Sequence, residues 1–314
     1  MAIAASTWVF LASAIALASA DFCNTPETGV LAEQRFGLYS DSARLEVLIE
    51  RMYRTPEHRR DAETSVRRWL GHLADLGAEI NIETLEGPLE LAGHTIDLAG
   101  ERFDLHVPSQ RPDHGYGLLV YISPERVFDM PGGWGRVLED RGIILVTPHN
   151  ASNRDSVLVR RFPLALHALE NVANCYDLDP TRIYVGGWSG GSRTAQALAL
   201  AFPEAFRGAL MIAGSFPVAN NEPSVTLYGD RLVLFPNQLP ADEELLARLR
   251  QHSKLVMLTG DSDRAFMRWD VRTLRSLEES GVPVALIRVP RLGHHLPSAG
   301  WFARALGELD APRE

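Results

Sequence analysis

The segment Gly187-Trp188-Ser189-Gly190-Gly191 sets a serine between small residues at Gly-x-Ser-x-Gly spacing. A serine hydroxyl is a weak nucleophile. It attacks a carbonyl carbon only when a neighbouring base takes its proton and a carboxylate orients that base. The bare pattern is common enough to arise by chance, so its surroundings carry the argument. An apolar run, Ile183–Gly186, ends just before the motif, and a stretch rich in Ala and Leu begins just after it. That layout predicts a sharp strand-to-helix turn that lifts the hydroxyl above a sheet, with glycines where the backbone is crowded. The helix N-terminus then favours negative charge beside the nucleophile. The competing reading is a Gly-rich turn that holds phosphate. It lacks both the Gly-Lys-Ser/Thr ending and a Gly-x-Gly-x-x-Gly run.

A base and an acid follow in the order such an architecture requires: serine, acid, histidine. The run Leu255–Thr259 ends in Gly260-Asp261-Ser262-Asp263, and the next apolar run ends in Val289-Pro290-Arg291-Leu292-Gly293-His294-His295. Both sets lie just past strand ends, where sites collect in α/β sheets. Asp263 is preferred over Asp261 because it has cleared the strand and can turn back. His294, directly after Gly293, is preferred over His295. The competing readings are an Asp that caps the next helix and a solvated His pair. An oxyanion hole would use the N–H of Gly190 and a second N–H from the loop Ser123-Pro124-Glu125. Proline has no N–H, so the second donor is Ser123 or Glu125. Trp188 beside the serine, and Asn150, Asn153 and Arg154 in the loop after Ile143–Thr147, are candidate substrate-binding residues. For the loop residues, local hydrogen bonding and surface charge are the alternative.

The elements that must hold these residues can be read from periodicity. Short continuous apolar runs at Leu118–Ser123, Ile143–Thr147, Ile183–Gly186, Ala209–Ala213, Leu255–Thr259 and Val284–Val289 predict buried strands. Helical stretches fall between most of them, at about 156–175, 190–202, 242–252, 264–280 and 298–309. Such alternation predicts a mostly parallel sheet covered on both faces. Upstream, Leu89–Leu91, Thr95–Leu98 and Arg102–Val107 alternate with period two, as in a half-buried antiparallel hairpin. Residues 41–76 predict two helices: one capped by Asp41 or Ser42, one opened by Thr55-Pro56. A stretch at about 215–240, rich in Pro, Asn and Gly, interrupts the rhythm and predicts an insertion over the sheet edge.

At these residues the chain resembles the α/β-hydrolase superfamily over roughly residues 100–310. Within it, the chain is similar to secreted esterases related to polyhydroxyalkanoate depolymerases and feruloyl esterases. The likeness rests on the strand leading to Val107-Pro108, on Gly187-Trp188-Ser189-Gly190-Gly191, and on Gly293-His294-His295-Leu296-Pro297, which is similar to their Gly-His-x-x-Pro. It implies an α/β-hydrolase fold, a triad of Ser189, Asp263 and His294, and no metal or organic cofactor. Ser123-Pro124 stands where the family has a His-Gly pair, and residues 31–76 have no counterpart in it.

Composition is compatible with that expectation. The chain has 314 residues, 46% hydrophobic and 23% charged, which excludes a disordered, collagenous or coiled-coil chain. Its net charge of −9, from 40 acids and 31 bases, argues against nucleic acid as partner, which requires a basic face. No Cys-x-x-Cys and no His-Glu-x-x-His occurs, so no metal site is expected. Residues 2–20 are uncharged. An apolar run from Trp8 to Ala18 leads into Ala18-Ser19-Ala20 and then Asp21, as in a cleaved signal peptide. An uncleaved anchor is the alternative, although the run is Ala- and Ser-rich and the n-region has no Lys or Arg. Export would permit a Cys23–Cys175 disulfide; two unpaired thiols are the other outcome. The expected organisation is a signal peptide at 1–20, an N-terminal helical extension at 21–86 and an α/β-hydrolase domain at 87–314. The expected protein is a secreted or periplasmic serine hydrolase with no stable membrane span after cleavage. It would cleave a small-molecule or polymeric ester. A serine peptidase or acyltransferase on the same fold, and a non-catalytic binding scaffold, are the competing classes.

Overall fold

The computed structural model describes residues 31–35, 102–155, 160–203, 205–218, 224–228, 231–235 and 243–311. The expected signal peptide, the helices expected over 41–76 and the first two runs of the expected hairpin lie outside these residues. The chain runs β1 (Leu31–Arg35), β2 (Arg102–His106), β3 (Tyr116–Ile122), α1 (Trp134–Arg141), β4 (Ile143–Pro148), α2 (Phe162–Cys175), β5 (Leu178–Trp188) and α3 (Gly190–Ala201). It continues through β6 (Gly208–Ile212), β7 (Ser224–Tyr228), β8 (Arg231–Phe235), α4 (Glu243–His252), β9 (Lys254–Gly260), α5 (Arg264–Glu279), β10 (Val284–Val289) and α6 (Ala299–Asp310).

Eight strands form one sheet in the order β1-β2-β4-β3-β5-β6-β9-β10. From β4 to β10 every neighbouring pair is parallel, with Leu118 opposite both Ile144 and Ile183. The edge pairs β1/β2 and β2/β4 are antiparallel. Leu31–Arg35, expected within a helical extension, is therefore a strand that extends the sheet. The antiparallel partners of β2 are β1 and β4. The insertion contributes β7 and β8, an antiparallel pair forming a sheet of their own.

The parallel strands are apolar throughout because both of their faces are covered. On β3, Leu118, Val120 and Ile122 point into one core, and Leu119 and Tyr121 into the other. The first core is closed by Phe162, Leu164 and Ala165 of α2, Leu198 of α3, Leu249 of α4 and Leu277 of α5. The second is closed by Trp134 and Leu138 of α1 and by Phe302, Ala305 and Leu306 of α6. The ring of Trp134 stacks on Phe302 at 3.7 Å. The chain thus crosses from β3 to β4 over one face, and from β4 to β5 over the other. Strand order reverses between β3 and β5. A crevice opens at the C-terminal ends of the strands at such a switch point, and the segments carrying Ser123 and Ser189 border it.

Candidate active site

Ser189 joins β5 to α3 with φ 56° and ψ −120°. Positive φ is costly for a residue with a side chain, and such strain concentrates at functional sites. The turn is tight because neighbouring backbone presses on it. A Cβ on Gly187 would lie 2.5 Å from the carbonyl carbon of Gly191, and one on Gly191 would overlap the carbonyl of Ile122. These contacts explain the two outer glycines of the motif. The N–H of Ser189 donates to the Ile212 carbonyl at 2.8 Å.

Asp263 directly precedes α5 but makes no side-chain cap to it. Its carboxylate turns back to His294, with Oδ2 2.6 Å from Nδ1, while the other ring nitrogen, Nε2, stands 3.0 Å from Ser189 Oγ. An imidazole protonated on Nδ1 donates to Asp263 and accepts from the serine hydroxyl, the tautomer a general base needs. The Asp263 side chain is 8% exposed and that of His294 35%, so the carboxylate is shielded and the imidazole is open to an incoming molecule. The Phe266 ring stacks on His294 at 4.2 Å, and Trp188 packs on it with ring centres 5.3 Å apart. Trp188, expected to contact substrate, packs against His294, and its indole nitrogen is buried without a partner.

Of the neighbouring candidates, Asp261 is engaged elsewhere and His295 is exposed. Asp261 Oδ1 accepts from the N–H of Arg291 at 2.6 Å and joins the two loops. The N–H of His295 donates to the Gly293 carbonyl at 2.9 Å. In the loop after β3, the N–H of Glu125 donates to Ser123 Oγ at 3.0 Å, so of the two expected second donors Glu125 already has an acceptor. Gly190 opens α3, and a first-turn N–H has no partner within its own helix.

Of the candidates after β4, Asn150 and Arg154 are exposed, and Asn153 is half-buried. The N–H of Asn150 donates to the Arg126 carbonyl at 2.7 Å, and that of Asn153 to the Pro124 carbonyl at 2.9 Å. The amide of Asn153 lies against Gly190. Two residues here were not legible in the sequence. Phe266 is one of several apolar residues on α5. Arg161, beside Arg160, reads as surface charge yet is fully buried.

A further polar cluster lies under the acid loop. Asp270 of α5, 1% exposed, accepts hydrogen bonds from Ser215 after β6 and Thr259 in β9. Burial raises its carboxyl above the usual range, and those hydroxyls only partly offset the shift. Cys175 is disulfide-bonded; Cys23 lies outside the described residues. Among the described residues no helix is long and apolar enough to cross a membrane. No group of three or more His, Cys, Asp or Glu side chains among them is placed to hold a metal ion.

No protein-family model matches the sequence, and no curated protein sequence matches it. Solved structures do. FphF, a fluorophosphonate-binding serine hydrolase of Staphylococcus aureus, matches at 13% identity with a TM-score of 0.52, over 67% of this chain and 93% of that one. The S-formylglutathione hydrolase FrmB of Staphylococcus aureus matches at 12% identity with a TM-score of 0.50, over 67% and 92%. A thermostable esterase matches at 18% identity with a TM-score of 0.45, over 61% of this chain and 51% of that one, about half its length. Together with the strand order and the strained turn at Ser189, the likeness to FphF and FrmB identifies the fold of this chain as that of the α/β-hydrolases.

Proposed function

We propose that this protein is a serine hydrolase that cleaves carboxylic esters through Ser189, His294 and Asp263. The observation that carries this reading is the continuous relay from Ser189 Oγ through His294 (3.0 Å to Nε2) to Asp263 (2.6 Å from Nδ1). In the first half-reaction Oγ bonds to the ester carbonyl carbon as its proton passes to Nε2, and the carbonyl π pair moves onto oxygen. The N–H groups of Gly190 and Ser123 are the donors assigned to that oxygen. The tetrahedral carbon then re-forms its carbonyl and expels the alkoxide, which takes the proton from Nε2. Water repeats the sequence on the acyl-serine and releases the acid. Asp263 stabilises the imidazolium formed in both halves. No cofactor enters these steps.

Export is part of the proposal. Its support is the apolar run from Trp8 to Ala18 followed by Ala18-Ser19-Ala20, together with the disulfide-bonded Cys175, since disulfides persist in oxidising compartments.

The test is to label the purified protein with a fluorophosphonate and assay it on short-chain, aromatic and polymeric esters beside peptide amides. Label on Ser189 and ester turnover are expected, both lost in Ser189→Ala, with turnover falling by several orders of magnitude. An Ala variant as active as the parent would refute the reading. Turnover of amides alone would move it to a peptidase.

A further inference from the structure

Helix α5 begins at the acid, yet its inner face is polar where a helix packed on a sheet is ordinarily apolar. Its buried residues are Asp270, Thr273, Ser276 and Leu277. Asp263 and Phe266, at the start of that face, meet His294 by hydrogen bond and by ring stacking. The turns below meet the sheet. One Asp270 oxygen accepts from the Thr259 hydroxyl on β9, just ahead of the acid loop, and the other from the Ser215 hydroxyl after β6. Ser215 Oγ also lies 2.9 Å from Thr273 Oγ1, and the N–H of Val218 donates to Ser276 Oγ at 2.9 Å.

The segment that carries Ser215 is bound just as closely to the nucleophile. It leaves β6 through Ala213 at φ 47°, a strained conformation that persists only where its surroundings hold it. The Gly214 backbone lies against Ser189: a Cβ there would stand 2.4 Å from the Ser189 carbonyl oxygen. Ser192 Oγ donates to the Gly214 carbonyl. Gln196 of α3 takes both polar groups of the Phe216 backbone, donating to its carbonyl at 2.7 Å and accepting from its N–H at 2.9 Å. The segment is thus a splint between the helix that starts at the nucleophile and the helix that starts at the acid. Asp270 ties that splint to β9.

We infer that Asp270 is a positioning residue of the active site, which holds α5 and the acid loop in register with the turn that carries Ser189. The inference rests on the serine-hydrolase reading above. A carboxylate has two acceptor oxygens and so gathers hydroxyls from two strand ends at once. Burying an ionisable group is costly, and an apolar residue would serve stability at least as well. A fully satisfied buried network instead specifies one rigid arrangement. Asp270 touches no reacting atom. It acts through Ser215 on the nucleophile side, and through Thr259 and α5 on the acid side. A slip between the two sides appears directly in the distances from His294 to Ser189 and Asp263, and so belongs to kcat rather than KM.

The test compares the full-length parent with Asp270→Asn, Asp270→Leu and Thr259→Val. It reads kcat, KM and the pH dependence of kcat/KM on p-nitrophenyl acetate, with urea midpoints to show that each variant is folded. Asp270→Leu should lower kcat on the order of 10²-fold, the cost of a misplacement of about 1 Å, at unchanged KM. Its acid-side inflection should move to lower pH, because an imidazolium less well held by Asp263 gives up its proton more readily. Asp270→Asn keeps an oxygen for one hydroxyl and an NH2 for the other, so it should retain most of kcat and shift the inflection less. Thr259→Val cuts one tie while keeping the side chain's shape. Its kcat should fall between those two, and it carries the test if Asp270→Leu does not fold. Folded Asp270→Leu and Thr259→Val variants with the parent's kcat, or with only KM raised, would overturn the inference and leave the hydrolase reading standing. Equal losses and equal inflection shifts in Asp270→Asn and Asp270→Leu would also overturn it, since Asp270 would then act by charge and not by position. A parent that neither turns over ester nor takes a fluorophosphonate label would overturn the hydrolase reading and this inference with it.

Discussion

Asp263 and Asp261 are two residues apart in one loop, and the structure sends their carboxylates to different partners. Asp263 meets His294; Asp261 holds the Arg291 N–H. Asp263→Asn should therefore lower kcat by roughly 10⁴-fold, because an amide that donates to Nδ1 stabilises the wrong tautomer. Asp261→Ala, which removes the acceptor of the exposed Arg291 N–H bond, should act mainly on stability, by about 1 kcal/mol. Steady-state kinetics and urea denaturation on the two variants check this, and the opposite pattern would move the acid to Asp261. That Asp263 would turn back toward His294 was legible because it is clear of the strand end, and that Ser189, Asp263 and His294 would follow successive strand ends was legible because the strands are strongly apolar. Phe266 and Arg161 were not. What each does depends on a ring or carbonyl far away in sequence, and nothing in their immediate neighbours announces it.

At the scale of elements, the site is only as fixed as the segments that carry its members. The loop bearing His294 runs into α6, and α1 grips it from the side. Trp134, fully buried, stacks on Phe302 and donates its indole N–H to the Pro297 carbonyl at 3.1 Å. Trp134→Phe keeps a ring but loses the donor and leaves a buried carbonyl without it. An unfolding free energy lower by roughly 1–3 kcal/mol is expected, read from the urea midpoint at constant slope. An unchanged midpoint would mean this contact does not hold the loop. Helix α1 itself escaped the periodicity reading for a physical reason. It has eight residues and buries only Trp134 and Leu138, one pair at i, i+4 in a polar stretch. Strand β1 escaped for a different one: Leu31-Ala32-Glu33-Gln34-Arg35 contains good helix formers, and its strand form comes from pairing with β2. Edge pairing of that kind is a tertiary effect that local propensity does not report. The core strands were legible because burial on both faces leaves continuous apolar runs, a signal that needs no partner to be seen.

Across the whole molecule, His106 and Asp270 are described residues whose burial couples folding to pH with opposite signs. His106 on β2 is 2% exposed. Desolvation lowers its pKa, more than the nearby Glu139 carboxylate raises it. The unfolded chain therefore binds the extra proton first, and stability is lost as pH falls below the ordinary histidine value of about 6.5. Asp270 behaves the other way. Its folded-state carboxyl is raised by burial, so between the ordinary aspartate value of about 3.9 and the raised one the folded chain holds more protons than the unfolded chain. Its contribution is most favourable below that ordinary value and is lost as pH rises through the raised one. Asp270→Asn removes this titration while keeping the shape of the side chain. The unfolding free energy of the parent minus that of the variant, from urea denaturation at a series of pH values, should shift in favour of the parent as pH falls from 7 toward 4. The protonated acid still offers a donor and an acceptor to Ser215 and Thr259, and the burial of a charge is relieved. A difference that is flat across that range, or that grows with rising pH, would mean that hydrogen bonding from the two hydroxyls outweighs desolvation and that Asp270 is buried at no electrostatic cost.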